Sequence, residues 1–295
     1  MNRIANISIL AASTMLATTA HAQDFDGVEI KTQELSDSVA VLFGAGGNIA
    51  VAHGEDATLM IDDQFAPLSE KIAAAVAALD ADPVEYLVNT HWHGDHTGGN
   101  ENFGNAGATI FAQDNVRVRL QSGGVVGGGE VPPAPRAALP IVTYPQGLRI
   151  HLNGDTISLM YFGGGHTDGD TVVFFEEDNI VHVADLYFNI DGYPFIDTSS
   201  GGSVYNAMTS LDAVLGMIDD ETQVIPGHGP VSNKAELAEY RARMGVAVER
   251  VDALRAAGMT LEEATATKPL DDMNREGGYI SADRFVAAIW NSARD

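Results

Sequence analysis

The sequence predicts an α/β protein: two mixed sheets packed face to face with helices on their outer sides, a four-layer αββα sandwich. The first observation behind this is the order of elements, which runs strands, helix, strands, helices. Element order alone would not select this arrangement over other α/β folds. The second observation does: four ligand-bearing motifs, each directly after a short apolar run. The chain has 295 residues, 45% of them apolar, enough to bury a real core in one large domain or two small ones. No shift in composition marks a boundary after residue 23, so residues 23–295 read as one domain.

Residues 1–22 read differently. Arg3 gives a positive start, residues 4–19 are mostly small and apolar, and Ala20-His21-Ala22 fits a small-x-small cleavage site. This predicts a cleavable signal peptide and a bacterial periplasmic location, with secretion also allowed and a buried N-terminal helix as the competing reading. Strands are expected at 28–32 and 39–43. Gly44-Ala45-Gly46-Gly47-Asn48 turns the chain into a return strand at 49–52, a hairpin. These glycines do not make a dinucleotide loop, because its third glycine would fall at Ile49 and no helical pattern follows.

A strand at 58–61 ends in Asp62-Asp63. Residues 67–79 are Ala-rich with helical spacing, and Pro67 suits the start. Asp82-Pro83 breaks the chain before an apolar strand at 86–89. A strand at 108–112 and a short helix at 113–120 follow. Residues 123–140 are rich in Gly and Pro and read as a loop, either a lid or a surface excursion. Strands are then expected at 141–144, 148–150, 156–162, 171–175 and 180–184, a helix at 203–218 and a last strand at 223–225. The end is helical, at 234–257, 260–265 and 282–291, and no repeat of solenoid length appears.

The densest chemistry is Val88-Asn89-Thr90-His91-Trp92-His93-Gly94-Asp95-His96, three imidazoles and a carboxylate within six positions. On the extended backbone leaving the strand, His91 and His93 point the same way because side chains alternate. Trp92 then points away and packs. Asp95 and His96 sit on the turn that Gly94 allows, and four ligands placed so can serve two adjacent ions. Three further strand ends each offer one donor. They are His166 in Gly163-Gly164-Gly165-His166, Asp185 after the buried run 181–184, and His228 in Pro226-Gly227-His228-Gly229. A carboxylate at a buried strand end needs a partner, and a metal ion would supply one.

This set resembles the metallo-β-lactamase superfamily, whose signature is His-x-His-x-Asp-His followed by a distant His, an Asp or Cys, and a last His. The resemblance covers essentially the whole chain after the leader. It implies the αββα fold, with His91, His93 and His166 on a first metal, Asp95, His96 and His228 on a second, and Asp185 bridging. The text around His166 also resembles subclass B1 lactamases and their Asp-bridged relatives. B1 enzymes carry Cys where Asp185 stands, a non-ligand at the position of His96, and a Lys where this chain has Phe188.

The chemistry so implied is a dinuclear zinc hydrolase in which two ions about 3.5–4 Å apart share a hydroxide, with Asp95 as the catalytic residue that orients it. The bond cleaved would be a cyclic amide or ester, a β-lactam among them. A lactone or a thioester is the nearest alternative. A non-catalytic metal-binding or redox protein on the same scaffold is the alternative of another class. Two Zn2+ are the first choice of cofactor, with Fe or Mn an option at the second site. Asp62, Asp168 and Asp170 read either as turn or strand-end residues or as supports for ligand imidazoles. His53, His151 and His182 read as surface or core residues, and Phe65, Tyr187 and Tyr193 as pocket walls.

Composition narrows the partners. There are 41 acidic against 16 basic residues, a formal charge of −25, and loss of the leader removes one more base, Arg3. Such a surface repels phosphate backbones and anionic lipid, so the expected partner is a small molecule, not nucleic acid or membrane. There is no Cys, hence no disulfide and no thiolate ligand or nucleophile.

Overall fold

The computed structural model describes residues 25–273 and 278–293; the signal peptide read at 1–22 lies outside the described residues. The chain first lays down β1 (Lys31–Glu34), β2 (Val39–Phe43), β3 (Ile49–Ala52) and β4 (Thr58–Ile61) as an antiparallel meander. Helix α1 (Ser69–Ala77) crosses over to β5 (Val84–Asn89), parallel to β4. The short helices α2 (Gly94–Thr97) and α3 (Asn100–Ala106) lead to β6 (Thr109–Gln113). Then come α4 (Asp114–Ser122), a hairpin of β7 (Gly124–Val126) and β8 (Gly129–Val131), and β9 (Val142–Tyr144). Strands β5, β6 and β9 are parallel, completing a seven-stranded sheet in the order β1-β2-β3-β4-β5-β6-β9.

The second sheet has six strands. β10 (Gly147–Leu152), β11 (Asp155–Tyr161), β12 (Thr171–Phe175) and β13 (Ile180–His182) run antiparallel. Helix α5 (Val204–Met217) crosses to β14 (Gln223–Ile225), parallel to β13, and β15 (Ser232–Asn233) closes that edge. Helices α6 (Lys234–Ala256), α7 (Leu261–Ala266) and α8 (Ala282–Asn291) end the chain. Their starts carry caps: Asn233 accepts from Glu236 N–H, Ser281 from Arg284 N–H, and Thr260 forms a capping box with Glu263.

Alternation along the strands makes the four layers. In β12 every residue is buried, yet Val173 and Phe175 join the core between the sheets while Val172 and Phe174 join the core under α5, α6 and α8. In β3, Ala50 and Ala52 face inward while Ile49 and Val51 pack with Ile72 and Val76 of α1. Strands buried on both faces read as unbroken apolar runs, which is why these were easy to see in the sequence. The differences lie elsewhere. The first strand falls at Lys31–Glu34, not 28–32, and its four exposed residues show no apolar alternation. The Gly- and Pro-rich stretch contains the β7–β8 hairpin, whose glycines at positive φ, Gly127 and Gly128, make the tip.

One register matters for the site. β13 and β14 are parallel with His182 opposite Ile225, so the chain leaves both at one edge, and three residues on in each come Asp185 and His228. β11 runs in the same direction as β13, since both are antiparallel to β12, so the connection carrying His166 leaves at that edge too. Leu159, fully buried between the sheets, tests the layered core. Leu159→Ala is expected to destabilise by about 2–5 kcal/mol, read as a lower denaturation midpoint at unchanged m. Ile141→Thr, at a side chain 72% exposed, is expected to change stability by less than about 0.5 kcal/mol.

Candidate metal centre

Asp62, at the end of β4, ties the first donors in place. It is buried, in left-handed backbone at φ 63°, and accepts hydrogen bonds from Thr90 N–H (2.8 Å), Thr90 Oγ1 (2.7 Å) and His96 Nδ1 (2.7 Å). The end of β5 and the start of α2 are thereby held together. His91 and His93 lie on the extended stretch between them, with ring centroids 4.8 Å apart. Trp92, between them, is buried against Val116 and Leu120.

The other three donors arrive on loops fixed by polar contacts. Asp170 accepts from the N–H (2.9 Å) and hydroxyl (2.5 Å) of Thr167, which sets the glycine turn before His166. Burial pushes the Asp170 carboxyl up to about 7. Gly227 N–H donates to Ala184 O (2.8 Å), locking the His228 loop to the turn that carries Asp185. Two glycines permit the close approach: a Cβ on Gly227 would strike Asp185 Oδ1, and one on Gly47 would strike the His96 ring.

All seven side chains singled out in the sequence converge. His91, His93, His166 and Asp185 form one group of donors and Asp95, His96 and His228 another, each with atoms within 4.8 Å of one another. Asp185 divides its oxygens between them. Its Oδ2 lies 3.4 Å from His166 Nε2 and 3.9 Å from His91 Nε2, and its Oδ1 lies 3.1 Å from His96 Nε2 and 3.4 Å from His228 Nε2. Asp95 Oδ2 approaches His228 Nε2 at 3.4 Å and His96 Nε2 at 3.7 Å.

A cation requires neutral imidazole and ionised carboxylate, and the donors divide on this: burial lowers His96 too, but Asp185, Asp95 and Asp62 outweigh it and hold that imidazole well above its usual range. Burial pushes His91 well below the usual imidazole range and His166 down to about 4. Burial works against ionising Asp185, but the facing imidazoles of His96, His228 and His166 outweigh it and hold the carboxyl well below the usual range. Burial also lowers His228, yet Asp185 and then Asp95 reverse this and raise it to about 9, so a metal there would displace a proton. His91 Nε2 and Asp185 Oδ1 are buried without a hydrogen bond. Unpaired buried donors of this kind fit a metal ion that completes them.

Each imidazole of the first group is oriented from outside. His91 Nδ1 lies 3.0 Å from Thr90 Oγ1, His166 Nδ1 donates to Phe195 O (2.7 Å), and His93 Nε2 donates to Asp197 Oδ2 (2.9 Å). His93 therefore presents Nδ1 to the group, 2.8 Å from His166 Nε2. Asp197 also accepts from the hydroxyls of Ser199 and Ser200, and Ser200 in turn accepts from Trp92 Nε1 (3.0 Å). Burial opposes its ionisation, but His93 and the two serines hold it below the carboxylate range.

The profile of the metallo-beta-lactamase superfamily (Lactamase_B) matches residues 43–228, from the end of β2 to the last of the seven donors. The chain belongs to the metallo-beta-lactamase superfamily. Members of this superfamily are metal-dependent hydrolases, and the convergent donors form groups that could hold a metal ion. Among curated relatives, the Beta-lactamase-like protein 2 homolog of Caenorhabditis elegans is 24% identical over 226 residues, 72% of this chain and 70% of that protein. The Hydroxyacylglutathione hydrolase of Methylococcus capsulatus is 28% identical over 227 residues, 73% of this chain and 78% of that protein. A metallo-beta-lactamase from Pontibacter korlensis shares the fold with a TM-score of 0.62 at 17% identity, covering 74% of this chain and 99% of its own. The sec-alkylsulfatase Pisa1 from Pseudomonas sp. matches with a TM-score of 0.65 at 18% identity, over 88% of this chain and 50% of its own.

Beside these seven donors, the remaining candidates divide. Asp62 touches a donor imidazole. Asp168 does not; it forms a two-pronged ion pair with Arg119 of α4 (2.6 Å each). His182 is buried, bonded to Asn48 O, and His151 is on the surface. A cleft of about 510 Å³ opens over the donors, and Phe65 and Tyr193 line it together with Val126, Phe188, Phe195 and Tyr279. Tyr187 is a correction: it is buried in the helix-side core against Tyr240, with its hydroxyl 3.0 Å from Ser232, because the 3-10 turn at Ala184–Leu186 directs it away from the cleft. Asp197 escaped the sequence reading. Its one local signal is the run Asp197-Thr198-Ser199-Ser200, where Asp197 caps a short turn by accepting from Ser199 N–H. Asp197→Asn is expected to lower zinc affinity about 10–100-fold, measured by competition with a chromogenic chelator, with the circular dichroism spectrum unchanged.

Proposed function

We propose that the chain is an exported dinuclear zinc hydrolase of acyl bonds, cleaving a cyclic amide or an ester of a small molecule. The observation that carries this is the division of Asp185: one oxygen faces His91 and His166, the other faces His96 and His228. A carboxylate so placed suits a bridge between two ions, the first held by His91, His93 and His166 and the second by Asp95, His96 and His228. Nitrogen and carboxylate donors without sulfur suit zinc, with iron or manganese as the option at the second position. When bound, paired divalent ions supply a water ionised near neutral pH and polarise the bond under attack.

The chain's own residues then have defined tasks. Asp95, 31% exposed at the cleft floor, is the most exposed of the donors and would orient the attacking oxygen; the facing imidazoles of His96 and His228 hold its carboxyl down at about 2 against burial, so it stays ionised. Asp62 and Asp197 keep His96 and His93 pointed at the centre. In the reaction the attacking oxygen bonds the acyl carbon, the acyl C–N, C–O or, in a thioester, C–S bond breaks, and the proton passes to the leaving nitrogen, oxygen or sulfur.

A lactone or thioester ranks beside the β-lactam. The relatedness to a hydroxyacylglutathione hydrolase favours it, and so does Phe188, an apolar side chain stacked over His228 where a lactamase of the B1 kind has a cation. The leader at 1–22 supports a periplasmic location, and among the described residues no helix is long and apolar enough to cross a membrane. The zinc-loaded protein is expected to hold two ions per chain and to hydrolyse at least one of a lactone, a thioester and a chromogenic cephalosporin. His228→Ala is expected to remove one ion and lower kcat/KM by about 100–1,000-fold. Two bound ions with turnover of none of the three would favour a non-catalytic metal-binding role.

A further inference from the structure

Resting on the reading of the site as an acyl-bond hydrolase, we propose that its cleft selects uncharged substrates with an aliphatic or aromatic body and excludes those carrying a separate anionic group, with Phe188 as the specificity-determining side chain. The walls are aromatic and aliphatic, and among the described residues lining the cleft there is no Lys or Arg. The one charged group on the walls is Asp191, a carboxylate. Arg284 lies 5.5 Å over the ring of Tyr279 and lines a neighbouring groove. Two floor imidazoles are covered by rings: Phe188 stacks on His228 with planes 2° apart and centroids at 5.5 Å, and Phe195 stacks on His93 at 5.7 Å.

The backbone of Phe188 is fixed in place. It bridges that of His228, and the next residue, Asn189, donates its N–H to His228 O at 2.8 Å. The backbone that carries the ring is therefore tied to the backbone that carries the imidazole beneath it.

Whatever positive charge a metal brings lies at the floor, where the acyl group undergoing cleavage must sit. A second anionic group on the substrate would have to rest against rings, near Asp191, with no cationic partner, and burying an unpaired charge is costly. The formal charge of −25 further lowers the local concentration of anions. An apolar body meets the opposite situation, since aromatic walls reward its burial.

Two matched pairs test this on the zinc-loaded full chain. N-phenylnaphthylamine and anilinonaphthalenesulfonate share a ring frame and differ by a sulfonate; binding is followed by fluorescence. Para-nitrophenyl butyrate and the para-nitrophenyl monoester of succinate share an acyl chain length and differ by a carboxylate; nitrophenolate release is followed after subtracting spontaneous hydrolysis. The uncharged member of each pair is expected to be favoured by about 10-fold or more. Phe188→Lys is expected to erase or invert both ratios, and Phe188→Leu, which keeps an apolar wall, to preserve them. Equal affinity and equal kcat/KM within the pairs, or ratios untouched by Phe188→Lys, would overturn the proposal. If neither ester is hydrolysed while the dyes keep their preference and respond to Phe188→Lys, the hydrolase reading fails and the charge selection stands.

Discussion

A carboxylate buried where water cannot reach it must find positive charge or hydrogen-bond donors, or the fold loses several kcal/mol. Asp185 is 4% exposed and meets this demand only in part: two imidazoles face each oxygen, yet Oδ1 has no hydrogen bond. Much of the architecture follows from that requirement. The in-register parallel pairing of β13 and β14 delivers Asp185 and His228 together. The matching direction of β11 delivers His166 to the same edge. Gly227 is a glycine because any side chain there would occupy the space of an Asp185 oxygen. Five imidazoles and two carboxylates crowded so closely are mutually tolerable only through such pairing, and a cation satisfies it more completely than the side chains alone.

The parts of this site legible in sequence were those whose chemistry is local. His91, His93, Asp95 and His96 fall within six positions, so the cluster declares itself before any folding argument. His166 and His228 are bracketed by glycines at strand ends, and Asp185 ends an apolar run. The supports were less legible because each is defined by a partner far along the chain. Asp62 acts on His96 from 34 positions away and Asp197 on His93 from 104. Asp168 and Asp170 look alike in sequence, yet one binds Arg119 and the other holds the turn before His166. Tyr187 lies two residues from a donor, but the turn between them reverses its direction. The β7–β8 hairpin was hidden by glycines that serve both loops and hairpin tips.

The layered fold itself says little about substrate. Structures sharing it include a metallo-beta-lactamase and a sec-alkylsulfatase, and at 17% and 18% identity these likenesses report the sandwich. What distinguishes this chain is the contrast between floor and wall. The floor is polar, packed and built from strand ends. The wall is a set of rings on the segments around Phe65, Phe188, Phe195 and Tyr279. On the function proposed, reactivity belongs to the first and selection to the second, so substitutions in the two regions are expected to act on different measurements.

Floor and wall nevertheless share a hydrogen-bonded joint. The Ser199 hydroxyl lies within hydrogen-bond reach of Asp197 Oδ1 and, at 2.9 Å, of Val125 O in the β7 strand. A hydroxyl has one proton to donate. A bond to Val125 anchors the hairpin whose Val126 lines the cleft, and a bond to Asp197 strengthens the carboxylate that orients His93. The position of the wall and the electrostatics behind a donor imidazole thus meet at a single proton.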